Sequence, residues 1–181
     1  MGRVRLLCGI CKNYDLKIGG FEVVRHATMK DISRIAEIIV FGKRVAYRPI
    51  FQNDEVSFNE LQVLDIIEEF RSKPETIDNF LVYDDGIVKG TINRHNFEDA
   101  TEICEFYVEP FFKRSGIGHE LMEALVKEAK EEGKKRIFLW VIKDNMAARS
   151  FYKKNGFEAT GEEQLIEGTD KLDICYERCL E

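Results

Sequence analysis

A short segment in the second half of the chain combines two glycines with two adjacent cations. Residues 113–118 read Lys-Arg-Ser-Gly-Ile-Gly, between a predicted strand that ends at Val108 and an amphipathic stretch that begins near Gly116. Backbone N–H groups at the start of a helix have no acceptor within the helix, and the helix dipole favours an anion there. Glycine lets that anion approach the backbone, and the two side-chain cations add positive charge. The segment therefore predicts a site for a phosphate or a diphosphate.

The spacing of the two glycines argues against two common nucleotide-binding motifs. A dinucleotide-binding fold requires a third glycine where Leu121 stands. The G-x-x-x-x-G-K-[ST] pattern of a P-loop does not occur in the chain. A lone G-x-G is weak evidence, so the class of ligand depends on a second pattern further along the chain.

Two patterns taken together resemble the motifs of a known enzyme family. The first is V-x-P-x-x-K-x-x-G-x-G over residues 108–118, and the second is N-x-x-A-x-x-F-Y-x-x-x-G-F over residues 145–157. They resemble the GNAT superfamily of N-acetyltransferases, with a domain over residues 21–181. The resemblance implies acetyl-CoA as cosubstrate, no metal, and transfer of acetyl from the thioester to a primary amine. Lys113 departs from the family's usual glutamine or arginine, so its phosphate contact would be a point charge.

The resemblance also implies which residues contact the cosubstrate. Backbone groups of residues 106–108 would align the pantetheine like an added strand, and an N–H near Val108 would stabilise the oxyanion. The N–H groups of residues 114–119 would hold the diphosphate. Asn145 would cap the helix that follows it, contact the pantetheine, or do both. The expected contact residues are Phe106, Tyr107, Val108, Lys113, Arg114, Ser115, Gly116, Ile117, Gly118, His119, Asn145 and Tyr152.

Three side chains are candidates for proton transfer. An ammonium with a pKa of about 10.4 is neutral only about once in 2,500 molecules at pH 7, so a carboxylate or a carboxylate-bound water must first remove a proton. Glu102 is the first candidate, because simple alternation along a strand places it on the face of Val108. Glu105 is the second, and alternation turns it to the other face unless a bulge intervenes. The alternative is that both are ordinary strand carboxylates and that the amine loses its proton through a chain of waters. In the resemblance Tyr152 protonates the departing thiolate; the alternative is that it only packs beside Phe151.

The elements that position these residues follow from periodicity and turn signals. They alternate as β-α-α-β-β-β-α-β-α-β-β, which predicts a mixed α/β domain with a mostly antiparallel sheet of about seven strands and four helices. The first helix is expected to follow a cap at Thr28 and to end at Gly42, and a second amphipathic stretch runs from Val56 to Phe70. The expected strands are 21–26, 80–83, 87–92, 102–108, 136–141, one around Glu158, and 172–179, and the later helices run from near 116 to 133 and from 145 to 155.

Composition limits the partners and the compartment. The chain has 181 residues, and 27 Lys and Arg against 33 Asp and Glu give a net charge of −6. This balance argues against a nucleic-acid partner, and the apolar runs are too short to suggest a membrane partner. Five unevenly spaced cysteines do not form a secreted disulfide framework, so we expect a cytoplasmic protein. Residues 1–20 are expected to be a mobile extension, and a metal or redox role for Cys8 and Cys11 is a minor alternative.

The expected acceptor is a small-molecule amine, cationic and polyamine-like. A protein lysine or N-terminal amine is an alternative acceptor, and a CoA-binding regulatory module without turnover is an alternative function. The chain is compatible with a homodimer.

Overall fold

The computed structural model describes residues 23–180, and within this range seven strands form a single sheet with helices on both of its faces. The strands are β1 (Val24–His26), β2 (Phe80–Asp84), β3 (Val88–Asn96), β4 (Ala100–Val108), β5 (Arg136–Ile142), β6 (Glu158–Leu165) and β7 (Leu172–Cys179). The α-helices are α1 (Ile32–Phe51), α2 (Val63–Ser72), α3 (Ile117–Glu131) and α4 (Met146–Lys154), with a π-helical turn at Val56–Glu60 and 3₁₀ turns at Pro74–Asn79 and Pro110–Phe112.

The order of strands across the sheet is β1-β2-β3-β4-β5-β7-β6. All neighbours are antiparallel except β4 and β5, which run parallel. The predicted fold class and element order are therefore confirmed. One side, the α3 face, packs against α3 and α4 around Leu81, Ile92, Leu121, Ile137 and Tyr176. The opposite side, the α1 face, packs against α1 and α2 around Ile35, Ile39, Ile67, Phe80 and Val82.

Some predictions concern residues outside the described part of the chain. The extension 1–20, the Cys8 and Cys11 pair, and the start of the first predicted strand all lie there. Within residues 23–180, no helix combines the length and the apolar character needed to cross a membrane.

Helix α1 is longer than the sequence predicts. The expected end at Gly42 is wrong, because the helix continues for more than two turns to Phe51. Gly42 instead forms a notch in the helix surface, since a Cβ atom there would lie 2.6 Å from the nearest ring atom of Tyr107 on β4. The missing side chain therefore lets α1 pack directly against β4.

Replacing Gly42 with alanine should lower the free energy of unfolding by about 1–3 kcal/mol, the usual cost of overpacking a close contact. Urea unfolding should show a lower midpoint at an unchanged slope. In a Tyr107→Ala background, which removes the two nearest ring atoms and leaves only the Cβ at 3.0 Å, the same change should cost much less. A cost that persists without the ring would show that the contact with Tyr107 is not what requires glycine.

The second predicted amphipathic stretch, from Val56 to Phe70, is not one helix. It contains the π-helical turn and α2, and the chain is extended between them at Leu61, where ψ is 93°. Arg44 of α1 explains the break, because its guanidinium donates hydrogen bonds to the carbonyls of Ser57 at 2.7 Å and Leu61 at 2.9 Å. These carbonyls therefore have partners that a continuous helix would not need.

An aspartate connects β1, β2 and the start of α1. The helix begins at Ile32, later than a cap at Thr28 would place it, and the Asp31 carboxylate accepts hydrogen bonds from the Thr28 N–H at 2.8 Å and hydroxyl at 2.9 Å. Arg25 of β1 pairs with Asp31 at 2.9 Å and with Asp84 of β2 at 2.8 Å. The hydrogen bonds from Arg25 are the main cause that lowers the pKa of Asp31 to about 2.

This network predicts a loss of stability in acid. The pKa of Asp31 falls from 3.8 to about 2 on folding, so its contribution is fully present above about pH 4 and is lost as the pH falls through the folded value. That contribution is on the order of 2 kcal/mol. The free energy of unfolding should therefore change less between pH 6 and pH 2 in Asp31→Asn than in the wild type. Parallel pH profiles of the two proteins in urea unfolding would contradict this account.

Candidate active site

Strands β4 and β5 separate part-way along the sheet. Their parallel ladder joins residues 100–103 to residues 136–139, and beyond it neither strand has a partner across the gap. On their outer edges β4 stays paired with β3, and β5 with β7. The inner edges at 104–108 and 140–142 therefore present unpaired N–H and C=O groups, which an extended ligand can use as an added strand would. We call this opening the fork.

The segment after β4 presents a row of free backbone N–H groups at the open end of the fork. Within the described part of the chain, the N–H groups of residues 113–118 donate no hydrogen bond to another protein group. Arg114 and Gly116 have φ angles of 65° and 91°, in the left-handed region. Successive N–H groups in such a turn form a concave site for an anion, and we call residues 113–118 the anion-binding turn. Lys113 and Arg114 are exposed, and neither pairs with a described carboxylate, so both are available to a phosphate.

Close contacts hold the start of α3 near the fork. A Cβ atom on Gly90 of β3 would lie 2.9 Å from side-chain atoms of Ile117 and Leu121. A Cβ atom on Gly118 would lie 3.2 Å from the ring of Phe151 on α4. The two glycines therefore allow α3 to approach both the sheet and α4, which places the free N–H row next to the unpaired edge of β4.

Two residues predicted to contact the cosubstrate have partners inside the protein. The His119 N–H donates to the carbonyl of Gly116 at 2.9 Å, and the His119 ring lies 2.8 Å from the side-chain oxygen of Asn155. The expected use of the His119 N–H for the diphosphate disagrees with this geometry, because that N–H already has an acceptor. The side-chain oxygen of Asn145 accepts the Ala148 N–H at 3.2 Å, so Asn145 caps α4, and its contact with pantetheine stays a prediction.

Tyr152 of α4 is buried in the core of the α3 face. Its ring packs edge-on against Phe151 and Phe157 and lies 6.4 Å from the ring of Tyr176. Burial is the main cause that raises the pKa of the Tyr152 phenol, and a negative charge on Tyr47 would raise it further. The phenol therefore keeps its proton at neutral pH, as a general acid must. Its packing role is clear from these contacts, and its catalytic role stays a prediction.

A bulge in β4 changes where the two candidate bases lie. The pairing with β3 shifts by one residue at Cys104, so simple alternation does not run from Glu102 to Val108. Glu102 pairs with Phe138 on β5. Both strand neighbours of Phe138 belong to the core of the α3 face, so Phe138 and Glu102 lie on the opposite, α1 face. Val108, in contrast, packs against the core of the α3 face. The expectation that Glu102 shares the face of Val108 is therefore wrong. Because of the bulge, Glu102 and Glu105 both lie on the α1 face.

The two glutamates differ in their partners. The Glu105 carboxylate forms an ion pair with Lys43 of α1 at 2.7 Å. Glu102 has no ion pair or side-chain hydrogen bond to another residue in the range 23–180. The Glu102 carboxylate is therefore free to bind water or a ligand, whereas Glu105 is already neutralised.

Helix α1 contributes residues to the site that the sequence analysis missed. Besides Lys43, the Tyr47 hydroxyl lies 2.9 Å from the hydroxyl of Tyr107. Burial raises the pKa of Tyr107, and its contact with Tyr47 raises it further. The two α1 residues stand four apart, so one helical face carries both, and this spacing was the available signal. It was overlooked because the helix was expected to end at Gly42.

These features fit acetyl-CoA. Its diphosphate matches the free N–H row of residues 113–118 and the two unpaired cations, and its amide-containing pantetheine matches the unpaired edges of the fork. Within residues 23–180, no three His, Cys, Asp or Glu side chains lie together as a metal site would require.

Comparisons with known proteins agree with this geometry. The model of the Acetyltransferase (GNAT) family matches residues 44–157, more than half of the chain. An uncharacterized N-acetyltransferase of Methanocaldococcus jannaschii is 37% identical over 70 residues, which are 39% of this chain and 30% of that protein. A spermidine N(1)-acetyltransferase of Thermoplasma acidophilum is 23% identical over 162 residues, covering 86% of this chain and 95% of the relative.

A solved structure shares the fold. The PaiA N-acetyltransferase of Thermoplasma acidophilum, in complex with coenzyme A, superposes with a TM-score of 0.68 at 22% identity, over 86% of this chain and 97% of that one. The family model and the shared fold agree with the fork and the anion-binding turn. The chain therefore belongs to the GNAT family of acetyltransferases.

Proposed function

We propose that this GNAT acetyltransferase transfers the acetyl group of acetyl-CoA to the primary amine of a small, cationic, polyamine-like acceptor, by direct attack of the amine. The observation that carries the acceptor class is that two carboxylates on the α1 face of the sheet, beside the opening of the fork, have no cation partner among the described residues. Glu102 lies on β4, and Asp173 lies on β7, paired with Ile142 beside the unpaired end of β5.

Asp173 supplies the stronger part of this argument. Burial raises the pKa of Asp173, because a half-buried carboxylate is poorly solvated when charged, and a hydrogen bond with the Gln164 side chain offsets only part of this effect. It forms no ion pair with a residue in the described range. An ammonium group from a ligand would offset the cost of burying that charge. The relative named as a spermidine N(1)-acetyltransferase agrees with an acceptor of this class.

The two faces of the fork have different roles in the proposed reaction. The N–H groups of residues 113–118 hold the diphosphate from the α3 side, and the inner edge of residues 106–108 aligns the pantetheine. The thioester supplies an activated acetyl group. On the α1 face, Glu102 takes a proton from the acceptor ammonium, directly or through a water. Tyr152 donates its phenolic proton to the departing thiolate.

An assay with a panel of acceptors tests this proposal. The protein is incubated with acetyl-CoA and spermidine, a monoamine, a lysine-containing peptide or a peptide with a free N-terminus, and thiol release is measured. Spermidine should give the highest kcat/KM, and the Asp173→Asn variant should lose most of that preference. Faster turnover of either peptide would replace the proposed acceptor with a protein amine. Tight binding of coenzyme A without turnover of any acceptor would favour a non-catalytic module.

A further inference from the structure

A lysine of the protein itself lies on the side of the fork from which an acceptor amine must approach. The Lys43 ammonium lies 2.7 Å from a carboxylate oxygen of Glu105. Glu105 belongs to the part of β4 that has no partner on β5, and it lies on the α1 face, opposite the anion-binding turn. Its neighbours along the strand are the residues proposed to align the pantetheine. A primary amine is therefore held next to the reacting part of the fork.

Two contacts fix Lys43 in this region. The Gly42 notch allows the backbone of α1 to pack against the ring of Tyr107. One turn later, the hydroxyl of Tyr47 hydrogen-bonds that of Tyr107 at 2.9 Å. Helix α1 is thus attached to β4 on both sides of Lys43, which keeps the lysine side chain beside this part of the strand. An amine held in this way needs no separate binding step, which raises its effective concentration.

We propose that Lys43 accepts an acetyl group from acetyl-CoA bound to the same chain. This self-acetylation rests on the proposed acetyltransferase function. Glu105 takes one proton from the Lys43 ammonium, and the neutral Nζ attacks the thioester carbonyl. The new C–N bond forms an amide, and the C–S bond breaks. Of the two protons left on Nζ, one passes to water as the amide forms and the other stays as the amide N–H. The thiolate takes up a proton from Tyr152 or water and leaves as free coenzyme A thiol.

The product has a direct consequence for the site. An acetylated Lys43 carries no charge, so it can no longer neutralise Glu105. The α1 face of the fork then gains a free carboxylate next to Glu102. Self-acetylation would therefore change the charge that a cationic acceptor meets.

Mass spectrometry after incubation with isotope-labelled acetyl-CoA tests the proposal. Lys171 is an internal reference, because its side chain is as exposed as that of Lys43 (29% against 28%) and it is also ion-paired, to Asp144. The label on Lys43 should form at least roughly tenfold faster than that on Lys171, since only Lys43 is held beside the thioester. Its rate constant should not depend on protein concentration.

Two variants check where the label goes. In Gly116→Ala, the label on Lys43 should fall towards that on Lys171 at limiting acetyl-CoA. In Lys43→Arg, the labelled peptide should disappear.

Free spermidine is assayed in a parallel sample, so that the two proposals fail separately. Equal labelling of Lys43 and Lys171, or labelling of Lys43 that Gly116→Ala does not reduce, would overturn self-acetylation. Turnover of spermidine without label on Lys43 would overturn self-acetylation alone. The absence of both reactions would overturn the proposed function as well. A rate that rises with protein concentration would show transfer between chains and would also contradict the proposal.

Discussion

Replacing Gly116 with alanine is expected to weaken the binding of coenzyme A by roughly 10- to 100-fold. Gly116 has a φ of 91°, which L-residues rarely adopt, and it stands within the row of free N–H groups. An alanine there would relax towards negative φ and turn at least one N–H away from the diphosphate. A hydrogen bond to a charged group is worth about 1.5–3 kcal/mol, which corresponds to that loss in affinity. Isothermal titration with coenzyme A measures it.

Gly133 provides the matched control for this variant. It lies just beyond the other end of α3, its φ is 73°, and a Cβ atom there would meet no other atom within 4 Å. Gly133→Ala should therefore strain the backbone of the same helix by a similar amount and leave coenzyme A affinity unchanged. Equal affinity losses in the two variants would mean that the effect comes from destabilising α3 and not from the anion-binding turn.

Replacing Tyr152 with phenylalanine is expected to lower kcat by roughly 100-fold and to leave coenzyme A affinity unchanged. General acids contribute about 10²–10⁴ in rate, and a thiolate with a pKa near 8.5 needs help at the lower end of that range. Phenylalanine keeps the contacts of the ring with Phe151 and Phe157, so the fold should be preserved. Steady-state kinetics with saturating acetyl-CoA, together with titration, separate the two quantities.

A second buried tyrosine controls for the loss of a hydroxyl. Tyr176 belongs to the same core and lies on β7, where its hydroxyl accepts a hydrogen bond from Arg149 at 3.3 Å. Tyr176→Phe should leave kcat within about twofold, because its hydroxyl makes only a modest structural bond. Burial raises the pKa of Tyr152, so the phenol should stay protonated near pH 10. The kcat of the wild type should therefore not fall near pH 10 through ionisation of Tyr152. A kcat that is unchanged in Tyr152→Phe would assign thiolate protonation to water.

The local parts of the site could be predicted from sequence, because their geometry depends on neighbouring residues. A strand, a proline, a glycine-rich turn and an amphipathic helix follow each other over residues 108–131, and the free N–H row results from that order alone. The cap at Asn145 is equally local, since its acceptor and donor stand three residues apart. The alternation of helices and strands gave the order of elements for the same reason.

The acceptor side could not be predicted, because it depends on contacts between distant residues. Lys43 and Glu105 are separated by 62 positions, and nothing in either local sequence indicates that they pair. The bulge at Cys104 reverses the face of Glu102, and alternation alone cannot reveal a one-residue shift. Gly42 resembles a helix end, whereas its actual role is to admit the ring of Tyr107 from another element.

The structure of the protein crystallised with acetyl-CoA tests the central claim most directly. The diphosphate should lie within hydrogen-bonding distance of the N–H groups of residues 113–118, with the pantetheine along residues 106–108 inside the fork. The acetyl group should then point towards the α1 face, near Glu102 and Glu105. A cosubstrate bound outside the fork, or a diphosphate that makes no contact with the turn before α3, would contradict the account.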